Sequence, residues 1–150
     1  MSVTLRIDGE IDTPLNLEYL DLIARTDQKE ISLSGRPATG IPVASLFEQV
    51  GVKPSATHVT LHAEHDDFAA SIPIAAVAEA AVIFQIHGVP IEISKGGPFR
   101  FFIPDAAECA IGEVDECANV KYLDRIELTV GPGKDTRPRT KKEHTDLHQA

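Results

Sequence analysis

The chain has 150 residues, 43% of them hydrophobic and only 5% aromatic, with a formal net charge of −9. That length and aliphatic content suffice for one globular domain with a buried core of Val, Ile, Leu and Ala, and exclude a disordered or fibrous chain. From Gly131 onward five basic residues face three acidic ones, so the first 130 residues carry −11, a field that repels nucleic acid and anionic membranes.

No apolar run reaches membrane-spanning length, and the first residues already include Arg6 and Asp8, so neither a membrane segment nor a signal peptide is expected. With two cysteines and no export signal, the expected compartment is the cytoplasm.

Val3, Leu5 and Ile7 alternate with polar residues and predict a half-buried first strand ending at Gly9. Asn16 is the expected cap of a short helix carrying Leu17, Leu20 and Ile23 on one face. Glu30 to Ser34 predicts a strand with Ile31 and Leu33 inward. The Gly- and Pro-rich stretch Gly35-Arg-Pro-Ala-Thr-Gly40 predicts a loop. Pro42 opens a helix carrying Val43, Leu46, Phe47 and Val50, and Gly51 stops it.

Thr57 to Ala63 and Phe68 to Ile72 form the two arms of a predicted hairpin with an acidic tip at His65-Asp66-Asp67. Pro73 opens an Ala-rich helix through about Ala80, and Ala81 to Ile86 predicts a buried strand. His87-Gly88-Val89-Pro90 turns the chain, and Ile91 and Ile93 form a brief extended piece. Lys95-Gly96-Gly97-Pro98 is a predicted loop, followed by a core strand over Phe99 to Ile103. Residues 105–119 read as irregular, Val120 to Leu123 as one helical turn, and Arg125 to Val130 as the last strand. Gly131-Pro132-Gly133 ends the fold at residues 1–130, and 131–150 predict a polar, disordered tail. Many short strands and few helices, mostly not alternating, predict an α+β fold with layered mixed β-sheets.

Several segments in this order resemble one family. Gly40-Ile-Pro-Val-Ala-Ser-Leu-Phe-Glu-Gln-Val-Gly51 is similar to a "G-x-P-L-x-x-L-L" helix, and His65-Asp-Asp-Phe-Ala-Ala-Ser-Ile-Pro73 to a "D-G-Y…I-P" hairpin. Gly88-Val-Pro-Ile, Gly96-Gly-Pro-Phe-Arg-Phe-Phe-Ile-Pro104 and Val120-Lys-Tyr-Leu-Asp-Arg-Ile-Glu-Leu128 resemble "N-G-x-P-L", "H-G-x-P-x-R-x-x-x-P" and "x-V-K-W-L-x-x-I". Together they resemble the molybdopterin-binding domain of sulfite-oxidase and nitrate-reductase type oxidoreductases. The resemblance implies that Arg100 and Lys121 hold a pyranopterin phosphate beside the Lys95-Gly96-Gly97 loop, with Gly96 standing where the family often has His. It also implies that the molybdenum-ligating cysteine should follow the strand at 30–34. Ser34 stands there instead, and the "C-x-G-N" segment is shortened to Gly35-Arg-Pro-Ala-Thr. A serine hydroxyl stays protonated near neutral pH and is a poor substitute for a soft thiolate.

Lys95, Arg100, Lys121 and Arg125 are therefore candidates for an anion site, against the plainer reading of surface cations paired with Glu92, Asp105 or Asp124. Cys109 and Cys117 have seven residues between them, wrong for a zinc knuckle, and read as two free thiols in a loop; a redox role or displaced metal ligation is the sharper alternative. His62, His65, Asp66 and Asp67 suggest a metal quartet on paper, but odd spacing along a strand sends the histidines to opposite faces. No nucleophile elbow, phosphate-binding loop or dinucleotide fingerprint is present, and no catalytic or metal residue is assigned. The expectation is an accessory or binding module of this fold, with molybdopterin as the cofactor and pterin phosphate or another small anion as ligand. The alternatives are an active molybdenum oxidoreductase with an unusual ligand such as Cys109, and a structural subunit with a protein partner.

Overall fold

Leu5 and Ile7, both fully buried, anchor the first of two five-stranded sheets in a computed structural model that describes residues 4–33, 35–104 and 119–137. Ser34, Asp105, Cys109 and Cys117, each weighed above, lie outside the described residues.

In the first sheet, β1 (Leu5–Gly9) pairs antiparallel with β2 (Leu15–Leu17) and parallel with β10 (Arg125–Thr129). β10 continues to β5 (His58–Ala63) and then β6 (Phe68–Pro73), giving the order β2-β1-β10-β5-β6. The second sheet is antiparallel: β3 (Lys29–Leu33), β4 (Arg36–Pro42), β7 (Ala81–Ile86), then β8 (Val89–Pro90) and β9 (Arg100–Phe102), which both pair with β7. The predicted α+β class with mixed, layered sheets is therefore the observed one.

Strand alternation explains the packing. Val82 and Phe84 of β7 join a main core with Leu5, Ile7, Val59, Leu61, Ile126 and Leu128 of the first sheet. Ala81 and Ile83, pointing the other way, join Leu33, Ala38, Ile86 and Ile91 in a second apolar cluster on the opposite face. A register shift lets the chain do both: Gly40 pairs with Ile83 but Thr39 with Gln85, so one residue of β7 is extra. After it, Gln85 donates a hydrogen bond to the Tyr19 hydroxyl and Ile86 turns to the second cluster.

The helix α2 (Val43–Val50) forms where predicted, closed by Gly51 at φ 70°, and buries Val43, Leu46 and Val50 at roughly 2 kcal/mol each. The hairpin β5–β6 also forms as predicted, its tip a 3-10 turn at Glu64–Asp66 with Asp67 at φ 51°. The Ala-rich segment after Pro73 is a 3-10 helix at Ile74–Val77.

Three local expectations change. Asn16 does not cap a helix but sits inside β2 opposite Arg6. The helix α1 is Tyr19–Ile23, capped by a reciprocal box between Glu18 and Asp21, and it buries Leu22 while Leu20 is 71% exposed. Residues 36–40 are strand rather than loop, because β4 is hydrogen-bonded between β3 and β7. Gly40 is demanded by close packing: a Cβ there would lie 2.7 Å from the Val82 carbonyl oxygen. Val120 to Leu123 is not a helical turn. It runs beside β9, with Phe101 N–H donating to Val120 O at 2.8 Å and Leu123 N–H to Phe99 O at 2.9 Å. No helix among the described residues is long and apolar enough to cross a membrane.

Candidate anion site

The chain reaches the candidate site through a tight turn. After the 3-10 turn Ile93–Lys95, Gly96 takes φ 92°, a conformation that side-chain-bearing residues rarely adopt. Gly97 follows with no room for a side chain, since a Cβ would lie 2.0 Å from the Ile91 carbonyl oxygen. Both glycines are buried, and both amides donate within the turn, Gly96 N–H to Ile93 O and Gly97 N–H to Glu92 O, each at 3.0 Å. The glycines thus contribute shape, while their N–H groups are already used.

Lys121 lies across this turn. A Cβ on Gly96 would stand 2.9 to 3.1 Å from the Lys121 Cβ, Cγ and Cδ, and Tyr122 N–H donates to Gly96 O at 2.6 Å. The lysine stem therefore packs on the turn while the residue as a whole is exposed, as is Lys95. The hydrogen bonds from Leu123 to Phe99 and from Phe101 to Val120 hold Lys121 and Tyr122 alongside Arg100 in the chain.

Arg100 is half-buried on β9, opposite Ile83, and so lies on the face of the second sheet that carries the smaller apolar cluster. Arg36 enters the same face, paired with Leu33 at the start of β4. Burial, and then the charge of Arg36, lower the pKa of Arg100 from its ordinary value. Neither guanidinium has a carboxylate partner among the described residues. Two neighbouring cations, Arg36 exposed and Arg100 half-buried, with no acid paired to either among the described residues, make an environment that an anion would relieve. Sequence reasoning missed Arg36 because a predicted loop at 35–40 gives it no register with β7 and hence no relation to Arg100 on β9.

Arg125 does not belong to this group. It sits on β10 with Nε 3.0 Å from Asp8 Oδ1 and Nη2 3.3 Å from Glu127 Oε2, where burial lowers its pKa and the Asp8 and Glu127 carboxylates more than restore it. Glu64 Oε1, 4.0 Å from Nη1, completes its acidic surroundings. His62 is buried in the same network, its Nε2 3.0 Å from Glu127 Oε1. No group of three potential metal ligands forms among the described residues.

Two open grooves flank β3. One, of about 460 Å³, is lined by Gln28, Glu30, Pro37, Thr39, His87 and neighbours and is remote in sequence from the predicted cations. The other, of about 370 Å³, is lined among others by Ile31, Ala81, Phe102 and Pro104. None of Lys95, Gly96, Gly97, Arg100 or Lys121 lines either groove, but Phe102 is two residues from Arg100 on the same side of β9.

Comparison with known proteins places the fold. The fold is similar to that of the sulfane dehydrogenase SoxCD from Paracoccus pantotrophus, with a TM-score of 0.71 at 17% identity over 87% of this chain. The chain spans 39% of that chain's length. No curated protein sequence matches it. The model of the oxidoreductase molybdopterin binding domain matches residues 32–136, which include β4, the Gly96-Gly97 turn, Arg36, Arg100 and Lys121. By that match over more than half its length, the chain belongs to the oxidoreductase molybdopterin-binding domain family.

Proposed function

We propose that this chain is a binding or accessory module of the molybdopterin-binding fold that holds the phosphate of a pterin, or a similar small anion, through Arg100. Arg36 shares that charge, Lys121 and Lys95 add exposed positive charge beside the turn, and Gly96 and Gly97 give the turn its shape. The observation that carries the reading is the placement of Arg36 and Arg100 on β4 and β9, which both flank β7, with neither guanidinium paired to an acid among the described residues. A planar guanidinium can fork onto two phosphate oxygens, and a half-buried face strengthens that contact.

When bound, a molybdenum cofactor supplies redox chemistry at its metal. The chain's own part in this reading is to bind and orient the phosphate-bearing end. Serine at position 34, where the family resemblance places a thiolate, argues against independent turnover, because a protonated hard oxygen holds a soft metal poorly.

The test is calorimetric titration of the folded chain with inorganic phosphate and with pterin phosphate, repeated on Arg100→Ala. Binding should weaken by about tenfold or more with little loss of fold, the size expected for a charge-assisted hydrogen bond. Unchanged affinity removes Arg100 from the site. Protein purified from a cofactor-replete host should carry pterin with substoichiometric molybdenum. Stoichiometric yields of both would favour an active oxidoreductase and overturn the accessory reading.

A further inference from the structure

β6 is the outer strand of the first sheet, and an outer strand leaves every second N–H and C=O without a ladder partner. Here those groups are at Ala69 and Ser71, and all four are hydrogen-bonded by residues 131–137. Ala69 N–H donates to Thr136 Oγ1 at 3.0 Å, and Thr136 N–H donates back to Ala69 O at 2.8 Å. Ser71 N–H donates to Asp135 Oδ2 at 3.1 Å, and Arg137 Nη2 donates to Ser71 O at 3.1 Å. Pro73, the next residue in phase, has no N–H to satisfy.

The segment is fastened at several further points. Gly131 N–H donates to Thr57 Oγ1 at 2.7 Å and Gly133 N–H to Ser71 Oγ at 2.9 Å. Gly133 lies so close to the sheet that a Cβ would be 2.3 Å from Thr60 Oγ1. Asp135 and Arg137 clamp each other in a forked pair, Nη2 to Oδ2 at 2.7 Å and Nε to Oδ1 at 3.0 Å, with the Arg137 side chain only 9% exposed. Lys134 Nζ reaches Asp67 Oδ1 at 3.1 Å. Most of these bonds come from side chains, so the strap imitates a neighbouring strand without being one. A stretch that reads from its Gly, Pro and charge as a tail is thus held along the sheet.

Apart from Pro73 at its end, the strand beneath has little protection of its own. Phe68-Ala-Ala-Ser-Ile-Pro73 contains no charged residue, the commonest device by which edge strands discourage pairing. Its outward positions are small, so a second backbone can approach. The sequence is also suited to pair with itself: antiparallel about Ala70, Ala69 of one copy faces Ser71 of the other, and the same four groups the strap now occupies exchange hydrogen bonds across a two-fold axis. We propose that residues 131–137 are a built-in edge guard, and that the β6 edge they cover is a docking site for β6 of a second copy when the strap lifts.

The experiment uses the full chain carrying Asp135→Ala and Thr136→Pro, which removes two acceptors and two donors that the strap offers to β6. Amide exchange at Ala69 and Ser71 in dilute protein should accelerate by about tenfold, the change expected from losing an ordinary hydrogen bond. With rising concentration the variant should form a dimer in sedimentation, and the same two amides should become protected again. If they stay protected in the monomeric variant, the guard is wrong. A variant that remains monomeric with both amides exposed, or associates without protecting them, overturns the self-docking edge. Protection by an unrelated extended peptide at lower concentration than self-association would reassign the occupant. Should the double variant fold poorly, exchange in the unaltered chain still decides the first point: Ala69 and Ser71 must be slow although they face the sheet edge.

Discussion

The aliphatic stem of Lys121 rests on Gly96, with three of its carbons about 3 Å from where a Cβ at 96 would stand. Gly96 also holds φ 92°, so Gly96→Ala imposes backbone strain and pushes the lysine away at once. The substitution should cost about 1–3 kcal/mol by urea unfolding and also weaken phosphate binding. Loss of stability with unaltered binding would mean that the lysine is not part of the site.

The charge of Arg36 disfavours that of Arg100, and on the proposed reading a bound anion relieves the repulsion. Arg36→Gln should therefore stabilise the anion-free chain, by a few tenths to about 1 kcal/mol, while reducing the rise in Tm that phosphate produces. Equal Tm gains with phosphate in both proteins would dissociate Arg36 from the site.

How much of this was legible depends on how local the cause is. The hairpin β5–β6 and helix α2 are written in alternation, in a helical stripe and in Gly51, signals that act within a few residues. β2 was not legible, because Asn16 becomes a strand residue through pairing with Arg6 rather than through its own propensity. β4 was hidden for the same reason. Its Gly35 and Gly40 look like loop breakers, yet Gly40 serves close packing against Val82. That error concealed Arg36, whose relation to Arg100 exists only once β4 and β9 both flank β7. Arg100 and Lys121 themselves were proposed through family resemblance, and Arg125 was misgrouped because sequence proximity to Lys121 says nothing of Asp8, over a hundred residues away.

Asp8 and Arg125 join β1 to β10 across the parallel pair at the centre of the first sheet. Both side chains are about three-quarters covered, so removing one partner leaves a poorly solvated charge. Asp8→Asn should destabilise by about 1–2 kcal/mol, and a double-mutant cycle with Arg125→Met should return a coupling of about 1 kcal/mol. Additive effects would reduce this ion pair to an exposed, uncoupled contact.

The strap gives the chain a specific acid sensitivity. Burial raises the Asp135 pKa, but the hydrogen bonds from the Arg137 side chain and from the Arg137 and Ser71 amides, with the Arg137 charge, together hold it below the ordinary 3.8. A carboxyl whose folded-state pKa is depressed binds more protons unfolded than folded between the two values, so stability rises with pH there. Its contribution is complete well above pH 3.8, declines as pH falls past that value, and is gone below the folded-state pKa. Asp27 is also lowered, chiefly by its hydrogen bond from Arg25, and so adds an acid sensitivity of the same sign. Comparison with Asp135→Asn cancels that background, because Asp27 is present in both proteins. The stability difference between the two chains should be constant near neutrality and shrink on acidification below about pH 4. Parallel pH profiles down to pH 2 would show that the Asp135 carboxylate does not fasten the strap.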